Sequence, residues 1–352
     1  MIDISQQQHL LVQVSRSFAL TIPLLPMPLQ DYVGNAYLLC RIVDTLEDEP
    51  ALDCQQKQIL LSQFLAALAD QGVAADFTSA ACRALSSATP AAEQELMALT
   101  PAVLARYRSY PTEVQAVLAR CATIMSRGMA GYQQQDCSQG LPDLAALDQY
   151  CYFVAGVVGE MLAELFILHC PELLPQRDQL LALGVSFGQG LQMTNILKDM
   201  ADDRARGVCW LPRELALRQG LDLALEGWGQ DQAGCQRLLD ELAGLAQGHL
   251  QDAMDFTCLL PARQQGIRQF CLLAIGMAVL TLKRVVTQPG PAKISRRQLK
   301  GVVLAARLLG RSDTLLQWWL AWLRRGCTLR RRSPQALRDL TSRWDHLMRS
   351  TD

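Results

Sequence analysis

What most restricts the folds open to this chain is the spacing of its apolar residues. Over long windows they recur every three to four positions, and runs of β-branched residues bounded by turn formers are nearly absent. That period lays apolar side chains along one face of an α-helix and cannot line one face of a strand. Residues 59–68, 102–129, 147–169, 180–203, 238–254 and 268–286 read as helices, with breaks at Pro23, Pro26, Pro28, Pro50, Pro111, 140–142, Pro171, Pro175, Pro212, Pro261 and 289–291. Half of the 352 residues are hydrophobic and 19 % are charged. Such a chain buries enough surface to offset its ordering entropy, which excludes disorder and collagen-like structure. The expectation is an all-α fold, a single helical domain over residues 1–352 around one core.

The other compositional signals exclude function classes. With 33 basic and 34 acidic residues the net charge is −1, which argues against nucleic acid as a partner. The twelve cysteines contain no Cys-x-x-Cys spacing and read as small buried hydrophobes in a reducing compartment. Met1-Ile2-Asp3-Ile4-Ser5 and the glutamines after it lack the basic start and apolar run of a signal peptide. A cytoplasmic monomer is expected. The longest uncharged apolar stretch, 270–282, is shorter than the roughly 20 residues a membrane span needs and reads as a buried core helix.

Two windows carry polar residues where a core would be. Residues 36–46 are apolar except for Arg41, Asp44 and Thr45, the pattern of a helix buried on nearly all sides. Tyr37, Arg41, Asp44 and Asp48 nevertheless recur at i, i+4, i+7 and i+11, one stripe on one face. Gln192, Asn195, Asp199 and Asp203 repeat the arrangement at i, i+3, i+7 and i+11. Carboxylates four residues apart repel, more so when desolvated, so each pair calls for a cation or basic partners. Four carboxylates without His or Cys suit Mg²⁺, which takes one or two carboxylates together with waters and phosphate oxygens. Mg²⁺ holding a substrate diphosphate is the chemistry this implies. A single pair of this kind is more often a solvated helix face; two, each with an arginine or amide on its stripe, favour the site.

At these motifs the sequence resembles the squalene and phytoene synthase family of head-to-head prenyl transferases. Ser15-Arg16-Ser17-Phe18 is similar to that family's N-terminal signature. The run from Tyr37 through Arg41 to Asp44-Thr45-Leu46-Glu47-Asp48 is similar to its first aspartate-rich motif. Tyr150-Cys151-Tyr152-Phe153-Val154-Ala155-Gly156-Val157-Val158-Gly159 resembles its central helix, and Gln192 through Asn195-Ile196-Leu197-Lys198-Asp199 to Asp202-Asp203 its second aspartate-rich motif. The four fall in order over residues 15–212. The resemblance implies an isoprenoid synthase fold with the two acidic helices facing across a hydrophobic cavity. It implies Mg²⁺ ligands at Asp44, Glu47, Asp48, Asn195, Asp199 and Asp203, and diphosphate contacts at Arg16, Phe18, Arg41, Gln192, Asn195 and Lys198. Tyr37, Tyr150 and the aspartates at 44, 48, 199 and 203 are the implied catalytic residues.

Asp44 through Asp48 looks more like squalene synthase than phytoene synthase. Ala292-Lys293-Ile294-Ser295-Arg296-Arg297 is similar to the basic loop used near NADPH, with Lys293 and Arg296 as cofactor contacts, although a basic run after a turn is more often a solvated helix start. The implied reaction joins two farnesyl diphosphates into presqualene diphosphate and reduces it to squalene. Alternatives are a phytoene, dehydrosqualene or presqualene diphosphate synthase of the same family, or a non-catalytic prenyl-lipid binding subunit. The family's arginine after the glycine following the second motif is replaced by Val208, with Arg204 and Arg206 nearby. The C-terminal membrane helix of eukaryotic squalene synthases is missing from the resemblance, and a bacterial type of enzyme is the expected match.

Two features stay open at this level. Ala155, Gly156, Gly159, Gly184, Gly188 and Gly190 either thin a cavity wall or let helices approach closely. Residues 296–352 carry thirteen basic residues against four acidic ones, a net of +9 that leaves −10 on residues 1–295. Beside them lie Trp318, Trp319 and Trp322. A helix on an anionic membrane and a last core helix with a basic end both fit.

Overall fold

The structure is a computed structural model that describes residues 2–15, 17–132, 137–223, 231–287 and 294–327. Among the described residues it is all-α, with no strand beyond an isolated parallel bridge between Leu141 and Pro212. The chain packs as two compact units, Met1–Gln135 with Glu164–Pro171, and Asp136–Ala163 with Glu172–Asp352.

In the first unit, α1 (Ile4–Val14), α2 (Phe18–Thr21), α3 (Leu29–Asp48), α4 (Cys54–Ala69), α5 (Ala74–Ala84), α6 (Ala91–Ala98), α7 (Thr100–Arg108) and α8 (Thr112–Tyr132) follow in order. The expected helix over 102–129 is therefore two, because Pro111 offers no N–H to continue the first. Helix α3 is the hub, packed against α1, α4, α6, α7 and α8. That position explains its almost wholly apolar surface: Leu38, Leu39, Ile42, Val43 and Leu46 are all fully buried. Its first turn is pinned by the buried Asp31, which accepts from Gln7 Nε2 (3.2 Å), Arg106 Nε (3.2 Å) and Tyr110 Oη (2.8 Å).

In the second unit, α9 (Leu144–Cys151) runs through one turn of π-helix, Tyr152–Gly156, into α10 (Val157–His169), whose residues from Glu164 onward count with the first unit. Then come α11 (Arg177–Ala205), α12 (Arg213–Arg218), α13 (Gln232–Leu259), α14 (Gln265–Thr287), α15 (Arg296–Leu309) and α16 (Asp313–Leu323). Helix α11 lies against α9, the π-turn, α13 and α14. The small residues are there for close approach. A Cβ added to Gly159 would stand 1.8 Å from the Gly184 carbonyl oxygen, and one on Gly188 would stand 2.0 Å from that of Ala155. Backbone thus meets backbone along this seam, which no larger side chain permits.

Two helices, Leu144–His169 and Gln265–Thr287, are long and apolar enough to cross a membrane by length and composition. In their most apolar windows 67 % and 56 % of residues are buried by the chain's own packing.

Candidate active site

The first acidic stripe stands on α3. Tyr37 Oη donates to the Val14 carbonyl (3.3 Å), which ties α3 to the end of α1 just before the Ser15–Phe18 signature. Arg41 Nη2 donates to the same hydroxyl at 3.0 Å, and its guanidinium lies 5.8 Å from the Tyr37 ring centre. Arg41 also pairs with Asp44 and with Glu93 of α6, each at 3.9 Å. Burial opposes its charge, but Asp44, Tyr37 and Glu93 hold the guanidinium ionised, with its pKa above the usual arginine range. Its Nε is buried with no acceptor among the described residues, a spare donor of the kind an anion uses.

Asp44 is half-buried. Burial pushes its carboxyl up; Arg41 pulls the other way, Asp48 and Glu93 push further, and the result is about 7. Asp44 thus has two acidic neighbours and one basic one, a local arrangement that a bound cation would relieve. Asp48 is exposed at the end of the helix. At 100° per residue, Glu47 lies roughly a quarter-turn off the Tyr37–Asp48 stripe, and its carbonyl accepts from Lys57 Nζ. The Phe18 ring stands 5.3 Å from that of Tyr37, and its N–H donates to Ser15 Oγ at 3.0 Å. Arg16 lies outside the described residues.

The second stripe occupies the last three turns of α11. Lys198 Nζ bridges Asp199 (3.0 Å) and Asn195 Oδ1 (3.3 Å), while Gln192 is half-buried. Asp203 is buried and accepts from Arg206 Nη2 at 2.5 Å. So Arg206 brings a positive charge to this motif where the sequence has Val208 in place of the usual arginine. Gly207 then reverses the chain at φ +79°, a conformation that favours glycine. The following residues pair with 137–142: Cys209 N donates to Cys137 O (2.9 Å), Leu141 N to Leu211 O (2.9 Å) and Arg213 N to Leu141 O (2.7 Å). This carries Trp210 onto Tyr150, with ring centres 3.8 Å apart and planes 12° from parallel.

Among the described residues no three His, Cys, Asp or Glu side chains converge tightly enough to hold a metal alone. An oxygen-only site for Mg²⁺, completed by waters and phosphate oxygens, fits these carboxylates better than zinc does. Arg296 is exposed in the first turn of α15, behind a capping box of Ser295 and Gln298. Lys293 lies outside the described residues.

Sequence reasoning missed Glu93, Trp210, and the group formed by the buried Ser186 and His249 with the half-buried Asp252. Glu93 gives no periodic signal, since it is one acid in the first turn of a short helix, yet it also accepts from Thr45 Oγ1 at 3.2 Å. Trp210 lies seven residues after the second motif, an aromatic that the sequence alone does not tie to Tyr150. Ser186 Oγ lies 2.8 Å from both His249 Nδ1 and Asp252 Oδ2, joining α11 to α13. Burial lowers the His249 pKa to about 4, so the imidazole stays neutral.

A family model for squalene/phytoene synthase matches residues 11–302, which include both stripes. The chain belongs to that family. It is similar to a squalene synthase of Eremothecium gossypii, 29 % identical over 336 residues, or 93 % of this chain and 73 % of that one. Among solved structures it is similar to TcSQS in complex with BPH1237, with a TM-score of 0.78 at 23 % identity over 99 % of each chain. It is also similar to the squalene synthase HpnC of Alicyclobacillus acidocaldarius, with a TM-score of 0.52 at 17 % identity, covering 91 % of this chain and 93 % of that one. These likenesses establish the all-α isoprenoid synthase fold. Family members are prenyl transferases, and this chain is one.

Proposed function

We propose that the protein is a squalene synthase that joins two farnesyl diphosphates head to head into presqualene diphosphate and reduces this with NADPH. The observation that carries the diphosphate half is Arg41: a half-buried guanidinium held ionised by Asp44, Tyr37 and Glu93, whose buried Nε has no acceptor among the described residues. Asp44, Asp48, Asp199 and Asp203 would hold Mg²⁺, with Glu47 and Asn195 as further oxygen donors. When bound, the metal supplies positive charge to the departing diphosphate. Arg41, Lys198 and Gln192 orient phosphate oxygens, and Arg16 belongs with them by its place in the signature.

Ionisation breaks the C1–O bond of one substrate, and diphosphate leaves with the electron pair. The resulting allylic cation survives only where water is excluded. The double bond of the second farnesyl chain attacks the cation, and loss of a proton closes the cyclopropane. Tyr150 is the residue assigned to this step; Trp210, stacked on it, fixes its ring. Tyr37 Oη, held between Arg41 and Val14, is assigned to the later rearrangement. The squalene endpoint rests on the names of the curated relatives, with Lys293 and Arg296 as cofactor contacts.

Incubating the protein with farnesyl diphosphate and Mg²⁺, with and without NADPH, tests the reading. Presqualene diphosphate is expected without NADPH and squalene with it; presqualene diphosphate alone under both conditions would remove the reductive half. Asp44→Asn and Asp199→Asn should each abolish turnover with little loss of fold, and full activity in both would overturn the metal assignment.

A further inference from the structure

We propose that α15 and α16 form a docking surface for an anionic lipid bilayer, independent of the reaction assigned above. The tertiary structure divides the three tryptophans of α16. Trp319 is buried with Leu316, Leu320 and Leu323, whereas Trp318 is 59 % exposed, Trp322 49 % and Leu315 46 %. On α15 the buried residues are Val302 and Ala306, and Leu304 and Leu308 are 57 % and 69 % exposed. Both helices are seated on α14 at one point: a Cβ on Gly276 would stand 2.6 Å from Val302 Cγ1 and 3.0 Å from Trp319 Cη2. Their inner faces are satisfied there, and five large apolar side chains are left outside. Exposed leucines scattered singly are ordinary; five large apolar side chains left outside on two consecutive helices that share a seat are not.

The charge around the patch names its partner. Residues 294–327 hold Arg296, Arg297, Lys300, Arg307, Arg311, Arg324 and Arg325 against Asp313 alone. Asp313 is already engaged, 2.8 Å from the buried Arg268, which also donates to the carbonyls of Cys258, Leu260 and Gly310. Exposed indoles and leucines on a segment this rich in arginine suit a bilayer interface, where rings sit at headgroup depth and arginines meet lipid phosphates. A second copy of the chain would set one positive face against another. At 14 and 11 residues the helices are too short to span the roughly 30 Å hydrocarbon core, so they lie on the membrane plane.

The test uses the full chain with vesicles of phosphatidylcholine alone and of an equimolar mixture with phosphatidylglycerol. Sedimentation with the mixed vesicles is expected, together with a blue shift of tryptophan emission, and both should weaken with salt. The pair Trp318→Ser and Trp322→Ser should lose the blue shift and bind about tenfold more weakly or worse. The pair Arg307→Gln and Arg311→Gln should lose part of the preference for anionic lipid. Both variants change exposed positions, so far-ultraviolet circular dichroism should match the wild type. Equal binding of the wild type to both vesicles, or wild-type binding by the tryptophan pair, would overturn the proposal. So would a concentration-dependent dimer that the tryptophan pair abolishes while no vesicle binding is seen, which would assign the face to a second copy.

Discussion

Gly159→Ala puts the helix seam of the second unit to its severest test. The new Cβ would lie 1.8 Å from the Gly184 carbonyl oxygen, against 3.4–4 Å for ordinary contact. Relief requires α10 and α11 to part by roughly 1.5 Å, and a gap of even 0.5–1 Å forfeits about a quarter to a half of each contact's attraction. Overpacking of this kind costs about 1–3 kcal/mol and more where backbone meets backbone, so about 3 kcal/mol is expected. At about 2 °C per kcal/mol for a chain of this size, the melting temperature should fall by roughly 6 °C. Gly301→Ala is the control: its Cβ meets nothing within 4 Å, and removing a helical glycine should raise stability by about 1 kcal/mol. Because α11 carries Gln192 through Asp203, turnover of the Gly159→Ala protein should also drop at temperatures where it remains folded. A melting temperature within about 1 °C of the wild type would refute the backbone-contact reasoning.

Acid stability should show two separate limbs. Unfolded histidine takes a proton near pH 6.5, whereas burial holds His249 neutral down to about 4. Stability present above pH 6.5 is therefore lost as pH falls towards 4, by about 3 kcal/mol, and His249→Gln should flatten that stretch of a urea-denaturation series against pH. For Glu49 burial raises the carboxyl pKa, but hydrogen bonds from Ser86, Thr89 and Ala51 outweigh it and hold the group near 2. Its contribution, also about 3 kcal/mol, is present above about pH 4.5 and lost between there and pH 2. A His249→Gln profile parallel to the wild type between pH 7 and 4 would contradict the first limb. Trp210→Ala should slow presqualene diphosphate formation by freeing the Tyr150 ring, and Trp210→Phe, which restores a stacking face, should recover much of the rate. Equal rates in the two variants would deny Trp210 its positioning role.

The residues from Tyr37 to Asp48 show how much of the site was legible and where legibility stopped. Their spacing placed four polar groups on one face of a buried helix, and α3 carries them so. The spacing did not reveal that Glu93, on another helix, joins Arg41 and Thr45, because a contact 48 residues away leaves no local period. The glycines make the same point, since their sequence left wall-thinning and close packing equally open. Only the 1.8–2.0 Å approaches at Gly159 and Gly188 decide for packing.

The sequence by itself determined the helical class, the two acidic stripes and the family, because helix periodicity and motif spacing are properties of neighbouring residues. The tertiary structure decided what depends on residues far apart in the chain. It divided the packing into two units, set Trp210 on Tyr150, brought Arg206 to Asp203, and turned Trp319 inward while leaving Trp318 and Trp322 in solvent. Burial and pairing arise from which helices meet, and that is settled by the whole core at once rather than by any local run of sequence.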